Sequence, residues 1–211
     1  ALQLYFVARI ALMTVIDPQS TTFQRSEAWR LLTERGRIEW SQQWVDGERI
    51  ATTLKRAVIA SEDAAFTEHA GVDWEAIERA WERNQRAEAQ AERRSRGATP
   101  REAARVAPKV IGGSTITQQL AKNLFLSGER TAPRKAQEFL ITFMLEALLP
   151  KQRILEIYLN NVEWGEGLFG AEAASRHYFH VSASQLSGFA AARLAVLLPA
   201  PKRVEQRPSS P

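Results

Sequence analysis

The chain has 211 residues, the size of one ordinary domain with appendages, and 45% of them are hydrophobic, enough for a real core. It contains no cysteine, which excludes a disulfide framework, a thiolate nucleophile and a Cys-type zinc site. The formal net charge of +4 suits an anionic partner such as acidic lipid, a phosphorylated substrate or nucleic acid, and equally suits plain solubility.

The first element, residues 1–16 (ALQLYFVARIALMTVI), is apolar apart from Gln3 and Arg9 and stops at Asp17-Pro18. A membrane-spanning helix needs about 20 apolar residues. The run is therefore read as the outer part of a transmembrane signal-anchor. A buried core helix is the alternative, because Arg9 is costly at a bilayer centre. No small-residue cleavage site follows, which argues against a removed signal peptide. Residues 17–49 read as a membrane-proximal linker or jaw, in which Trp29, Trp40 and Trp44 suit either an interface or ordinary packing.

From Ile50 onward apolar residues recur at spacings of three and four, and no segment alternates like a strand. Asp73 caps a helix beginning at Trp74, with Ile77 and Trp81 on one face. Residues 84–110 are rich in Arg, Ala and Glu and lack a large apolar face; they predict a helical extension that frays into a mobile segment, with a flap over a cleft as the functional alternative. Thr131 and Pro133 open a long helix whose core stripe is predicted as Phe139, Leu140, Phe143, Met144, Ala147 and Leu148. Ile154, Leu155, Tyr158 and Leu159 define the next, stopped at Asn160-Asn161. The glycine-rich stretch 163–170 turns the chain into a helix over 171–179. Ser182 and Gln185 form a capping box for the last helix. Residues 200–211 read as a flexible tail.

Three places carry chemistry. In the first, an apolar helix (Leu54, Val58, Ile59) delivers Glu62 and Asp63 to its C-terminal end. Carboxylates there oppose the helix dipole, which calls for a function or a partner to offset the cost. Ala64, Ala65 and Phe66 lower the local polarity, and desolvation raises a carboxylate's proton affinity toward the range useful for proton transfer. A bland alternative is that Glu62-Asp63 starts a turn and His69 bonds a loop. In the second, Gly112-Gly113 allows a sharp turn or a close backbone approach. Ser114 or Thr115 then starts a helix with Gln118 and Lys122, and Thr115 and Gln119, paired on its polar side. Such a surface suits sugar hydroxyls and phosphate oxygens; a capped amphipathic helix is the alternative. In the third, Arg130, Arg134, Lys135 and Glu138 crowd a helix start. Arg134 and Glu138 are spaced as an ion pair, yet cations at a helix N-terminus are unfavourable unless an anion neutralises them.

Two carboxylates beside a cationic patch are the working parts of glycosyl transfer with a diphosphate leaving group. The segments EDAAFTEHAGVD (62–73), GGSTITQQLAKNLFL (112–126), RKAQE (134–138) and KQRILEIYLNNVEWGEGLFGAEAASRHYF (151–179) occur in this order. Together they resemble the successive motifs of the peptidoglycan glycosyltransferases, and the short chain is similar to the monofunctional members.

The resemblance implies a mainly α, lysozyme-like catalytic domain over 50–199 behind an N-terminal membrane-anchor helix. It implies lipid II and the growing glycan strand as substrates. It also implies membrane lipids, and other cell-wall synthesis or division proteins, as partners, with no nucleic acid. The protein would be single-pass in the bacterial inner (cytoplasmic) membrane, with its catalytic domain on the periplasmic or outer face. Glu62 matches the catalytic base, and Lys122 and Arg130 match residues that hold the departing diphosphate. Glu138 matches the second essential glutamate, linked to the diphosphate through a basic residue or through a divalent cation, Mg2+ or Mn2+; no cofactor is obligatory. Asp63, Phe66, Ser114, Thr115, Gln118, Gln119 and Asn123 match substrate-binding positions, with Arg134 and Lys135 in support. Asn160, Gly165 and Gly170 shape the cleft. Segment 84–110 is longer than the usual link between the first two motifs. The rivals are a lysozyme-like hydrolase, which would use water as acceptor, and a noncatalytic basic module binding anionic lipid.

Overall fold

The computed structural model describes residues 1–95, 112–126, 128–129, 131–199 and 201. Nine α-helices occur among them: α1 (Leu2–Leu12), α2 (Thr22–Arg35), α3 (Thr52–Glu62), α4 (Trp74–Ser95), α5 (Ile116–Phe125), α6 (Ala132–Leu148), α7 (Lys151–Asn161), α8 (Ala171–Phe179) and α9 (Gly188–Leu197). Three short strands, β1 (Ser41–Gln42), β2 (Glu163–Gly165) and β3 (Leu168–Phe169), join in the order β1-β3-β2, with β1 parallel and β2 antiparallel to β3. The chain packs as two compact units, one of Ala1–Gly71 with Thr115–Pro211 and one of Val72–Ser114.

In the first unit α7 is the central helix. Ile154, Leu155, Ile157, Tyr158, Leu159, Asn160 and Asn161 are all buried, so the helix is covered nearly all round, as a core helix must be. Helices α5 and α6 pack on it, and α3 pairs with α9. Helix α1 lies against α6, burying Phe6 and Ile10; the Phe6 ring meets Phe125 edge-on at 5.2 Å.

The stretch expected to be a linker is structured. Thr21 and Gln24 form a reciprocal capping box that starts α2, and Gly36 in the left-handed region (φ 67°) ends it. β1 follows, and Trp40 stacks on Phe169 at 4.4 Å between ring centres. Residues 163–170, expected to be only a turn, supply β2 and β3. The strands are too short to show a period of two, so nothing in the alternation could reveal them. Gly167 between them has φ +69°, and a β-carbon there would overlap the carbonyl oxygen of Glu39. Only glycine fits.

Two other expectations are corrected. The buried positions of α6 are Glu138, Ile141, Thr142 and Leu145, spaced by three and four. Leu140 and Phe143, expected in the core, are 48% and 46% exposed, and Leu148 is exposed as well. The helix turns a partly polar face inward and an apolar stripe outward. Ser182 and Gln185 bracket a single 3-10 turn, while α9 begins later, capped by Ser187, whose hydroxyl accepts from Ala190 N–H at 3.3 Å.

In the second unit Asp73 caps α4 as expected, its carboxylate accepting from Ala76 N–H at 2.7 Å. Trp81 is exposed, and Ala80 is the buried position of that turn. The helix runs to Ser95, so the start of the 84–110 segment is helical; the rest of that segment, and the predicted tail except 201, lie outside the described residues.

Candidate active site

Helix α3 ends at Glu62, and Asp63 is its C-cap. The cost of a carboxylate at that end is offset by a neighbour distant in sequence. One Asp63 oxygen accepts from the backbone N–H of Ile116, the first residue of α5, at 3.0 Å; the other lies 2.8 Å from His69 Nε2. Gly71 N–H donates to His69 Nδ1 at 3.1 Å, so the ring proton sits on Nε2 and points at Asp63. Asp63 therefore stands at the positive end of the α5 dipole, with its side chain only 1% exposed. Expected to touch substrate, it is instead spent inside the protein, fixing α5 against the end of α3.

The same holds for three other positions. Thr115 Oγ1 accepts from Gln118 N–H at 3.2 Å and donates to the Gly71 carbonyl at 2.6 Å, while Gln118 Oε1 accepts from Thr115 N–H at 3.0 Å. Both side chains are buried in this capping box, so the capped-helix alternative describes them. Phe66 is buried, with Lys151 Nζ 4.5 Å above its ring. Ser114 is exposed, at the end of the second unit.

The remaining α5 positions face outward. Gln119 is half-buried and donates from Nε2 to Glu62 Oε2 at 2.9 Å. Its Oε1 accepts from the Tyr158 hydroxyl at 3.0 Å. Lys122 and Asn123 follow three and four residues later on the same side of the helix, Lys122 exposed and Asn123 half-buried. At about 1.5 Å rise per residue, Lys122 is about one turn beyond the amide that touches Glu62. Glu62 itself is half-buried. Oε2 takes the amide, and Oε1 has a 3.4 Å contact from the Ser61 hydroxyl. Burial first, and then the negative charges of Glu62 and Asp63, push the Tyr158 phenol well above its ordinary range, so it stays a neutral donor. Tyr158 was legible only as a core stripe residue; the hint to more was a phenolic oxygen among Ile and Leu, since a buried Tyr hydroxyl needs a partner.

Glu138 is buried on the inner face of α6 and paired with both cations of its own helix, with Arg134 at 2.9 Å and with Lys135. The anion that this cationic helix start requires is thus supplied by the chain. That removes the sequence argument for a bound anion at Arg134 and Lys135. It also leaves Glu138 a poor fit for Mg2+ or Mn2+, because each oxygen already holds a cation. Among the described residues no group of three or more His, Asp or Glu side chains is gathered to hold a metal. Arg130 lies outside the described residues.

A half-buried carboxylate held by an amide, with an exposed lysine about one turn along the same helix, suits a glycosyl-transferring enzyme that works with a carboxylate, and the mainly helical body with its minor sheet is consistent with a lysozyme-like build. The chain belongs to the transglycosylase family, whose model matches residues 30–210. It is similar to the biosynthetic peptidoglycan transglycosylase of Burkholderia thailandensis, 51% identical over all of this chain and 75% of the relative. It is likewise similar to that of Cupriavidus metallidurans, 53% identical over 98% of this chain and 81% of the relative. The protein of the same name from Bordetella pertussis is 52% identical over 95% and 76%.

Proposed function

We propose that this protein is a peptidoglycan glycosyltransferase of the cell envelope that polymerises lipid II into β-1,4-linked glycan strands, with Glu62 as general base. The observation that carries the reading is the pairing of Glu62 with Gln119: the half-buried carboxylate takes the amide on Oε2 at 2.9 Å, and the same helix presents the exposed Lys122 about one turn further on. Oε1 takes the proton of the acceptor sugar's 4-hydroxyl as that oxygen bonds to C1 of the donor. The C1–O bond to the diphosphate breaks, its electron pair leaves with undecaprenyl diphosphate, and C1 inverts. Lys122 and Arg130 neutralise the departing charge. Glu138 serves this step indirectly, by holding Arg134 and Lys135 in place.

Membership of the transglycosylase family does not favour the hydrolase or the noncatalytic lipid-binding module. The substrate distinguishes all three. Purified protein should polymerise lipid II and leave finished peptidoglycan intact; cleavage of finished glycan would support the hydrolase, and lipid binding without any polymer the module. Lys122→Ala should slow lipid II turnover at least tenfold with the melting temperature nearly unchanged, since an exposed cation contributes about 0–1 kcal/mol to folding. Unaltered turnover would remove Lys122 from the leaving-group site.

Single-pass anchoring in the inner membrane belongs to the same proposal. Among the described residues no helix is long and apolar enough to cross a membrane. Support for membrane contact comes from exposed side chains: Leu2, Leu4, Tyr5, Leu12, Val15 and Ile16 in the α1 region, and Leu140, Phe143 and Leu148 along α6. The two helices touch, and Gln3 and Gln137 exchange amide hydrogen bonds at 2.7 and 3.1 Å. Replacing Leu140 and Phe143 together by Glu should lower co-sedimentation with anionic vesicles about tenfold or more. Each large apolar side chain moved out of water is worth about 1.5–3 kcal/mol. Undiminished sedimentation would place the membrane-facing surface elsewhere.

A further inference from the structure

We infer that Tyr158 is a positioning residue for the base: through Gln119 it dictates which end of an amide meets Glu62. The inference rests on the general-base reading of Glu62.

A glutamine amide has a donor end and an acceptor end, and turning it over by half a rotation exchanges them. Beside an ionised carboxylate only the NH2 end is favourable, because a carbonyl oxygen there would repel it. Gln119 alone has no reason to hold that orientation once a proton arrives on Glu62. Tyr158 supplies the reason. Its ring is fully buried in the central helix α7, and its hydroxyl lies 3.0 Å from Gln119 Oε1, opposite the 2.9 Å contact from Nε2 to Glu62. A phenol can also accept, but a buried hydroxyl that keeps its proton needs an acceptor for it, and Gln119 Oε1 is the one it meets among the described residues, so the carbonyl end faces α7 and the NH2 end faces Glu62. The hydrogen bond to Glu62 occupies Oε2, so that Oε1 is the oxygen that accepts the substrate proton.

The surrounding charges do not provide this control. On its own segment Glu62 is followed by Asp63, which is engaged with His69 and Ile116. Helix α5 contributes Gln119 and, a turn on, Lys122. Helix α9 offers the Ala195 carbonyl, which accepts from Ser61 at 3.4 Å, while its Arg193 lies over Phe179 and Phe189. Among the described residues Tyr158 is the side chain recorded on the carbonyl end of Gln119.

The test is Tyr158→Phe, which removes one oxygen and keeps the ring. With lipid II as substrate, kcat should fall roughly tenfold with KM within about twofold, and the acid limb of the kcat/KM profile should move to higher pH, as a carboxylate losing a donor gains proton affinity. Gln119→Leu should reproduce the upward shift, and adding Tyr158→Phe to Gln119→Leu should change little further, because the phenol acts only through the amide. A wild-type acid limb in Tyr158→Phe, whatever its melting temperature, or full additivity of the two changes, overturns the inference. Should Tyr158→Phe fail to fold, Gln119→Leu alone decides: an unmoved acid limb overturns it, and an upward shift supports it. Glu62→Gln run in parallel separates the two readings. Wild-type polymerisation by Glu62→Gln defeats the base assignment, whereas an inactive Glu62→Gln beside an unaltered Tyr158→Phe defeats only the role of Tyr158.

Discussion

Glu62→Gln is expected to lose glycan polymerisation by about 10²–10⁴-fold, the range general-base assistance contributes, while the protein melts where the wild type does. The geometry separates the two effects. Glutamine has the shape of glutamate, and its carbonyl oxygen can accept the Gln119 amide as Oε2 does at 2.9 Å. Its NH2 then lies at the half-open position of Oε1, where solvent can satisfy it, so no buried group is orphaned and the stability change should stay within about 0.5 kcal/mol. What is lost is the one property the reaction uses, a lone pair able to take the acceptor's proton. The measurement is strand formation from lipid II by wild type and variant at equal concentration, with thermal melting of both. A variant polymerising within a few-fold of wild type would end the base assignment, and a large drop in melting temperature would mean that Glu62 holds the fold together.

How much of this was legible in the sequence depended on whether the signal was local. The α4 and α6 caps at Asp73 and Thr131 and the breaks at Pro150 and Asn160-Asn161 are written within a few residues, and the structure follows them. So was the Thr21–Gln24 capping box of α2, passed over because the surrounding stretch is polar and α2 buries only Gln24, Glu27 and Leu31. The α6 stripe failed for a different reason. Two faces of that helix carry apolar residues, and the sequence does not say which one meets the core and which stays exposed. Around Glu62, residue type alone points to Gln119 and Lys122, and the structure pairs Gln119 with Glu62 and leaves Lys122 exposed one turn on. The positions that proved buried, Asp63, Thr115 and Gln118, were misread because their partners lie elsewhere: Asp63 bonds a backbone N–H 53 residues away. A carboxylate at the end of one helix looks available for chemistry until the start of another helix is set against it.

That contact carries the second large expectation. Asp63→Ala should destabilise the protein by roughly 3–6 kcal/mol, since it strips a charged acceptor from two buried donors, and bonds of that kind contribute about 1.5–3 kcal/mol each. For a chain of this size the melting temperature should drop on the order of 10 °C. Asp63→Asn should recover part of the loss: its single carbonyl can serve Ile116 N–H or the His69 Nε2–H, which are 3.0 and 2.8 Å from separate oxygens of the native carboxylate, but not both, and its NH2 would then meet a donor. Activity should fall along with stability, because the same carboxylate sets the start of α5 against the end of α3. That setting places Gln119 on Glu62. At temperatures where Asp63→Ala is still folded, its kcat should therefore lie well below wild type although Asp63 touches no substrate. If the folded variant turned over lipid II normally, α5 would be held in register by its packing on α6 and α7 alone, and Asp63 would be a contributor to stability only. If instead the variant melted like the wild type yet was inactive, the buried carboxylate would have to act on the reaction directly, against the enclosure that leaves its side chain 1% exposed.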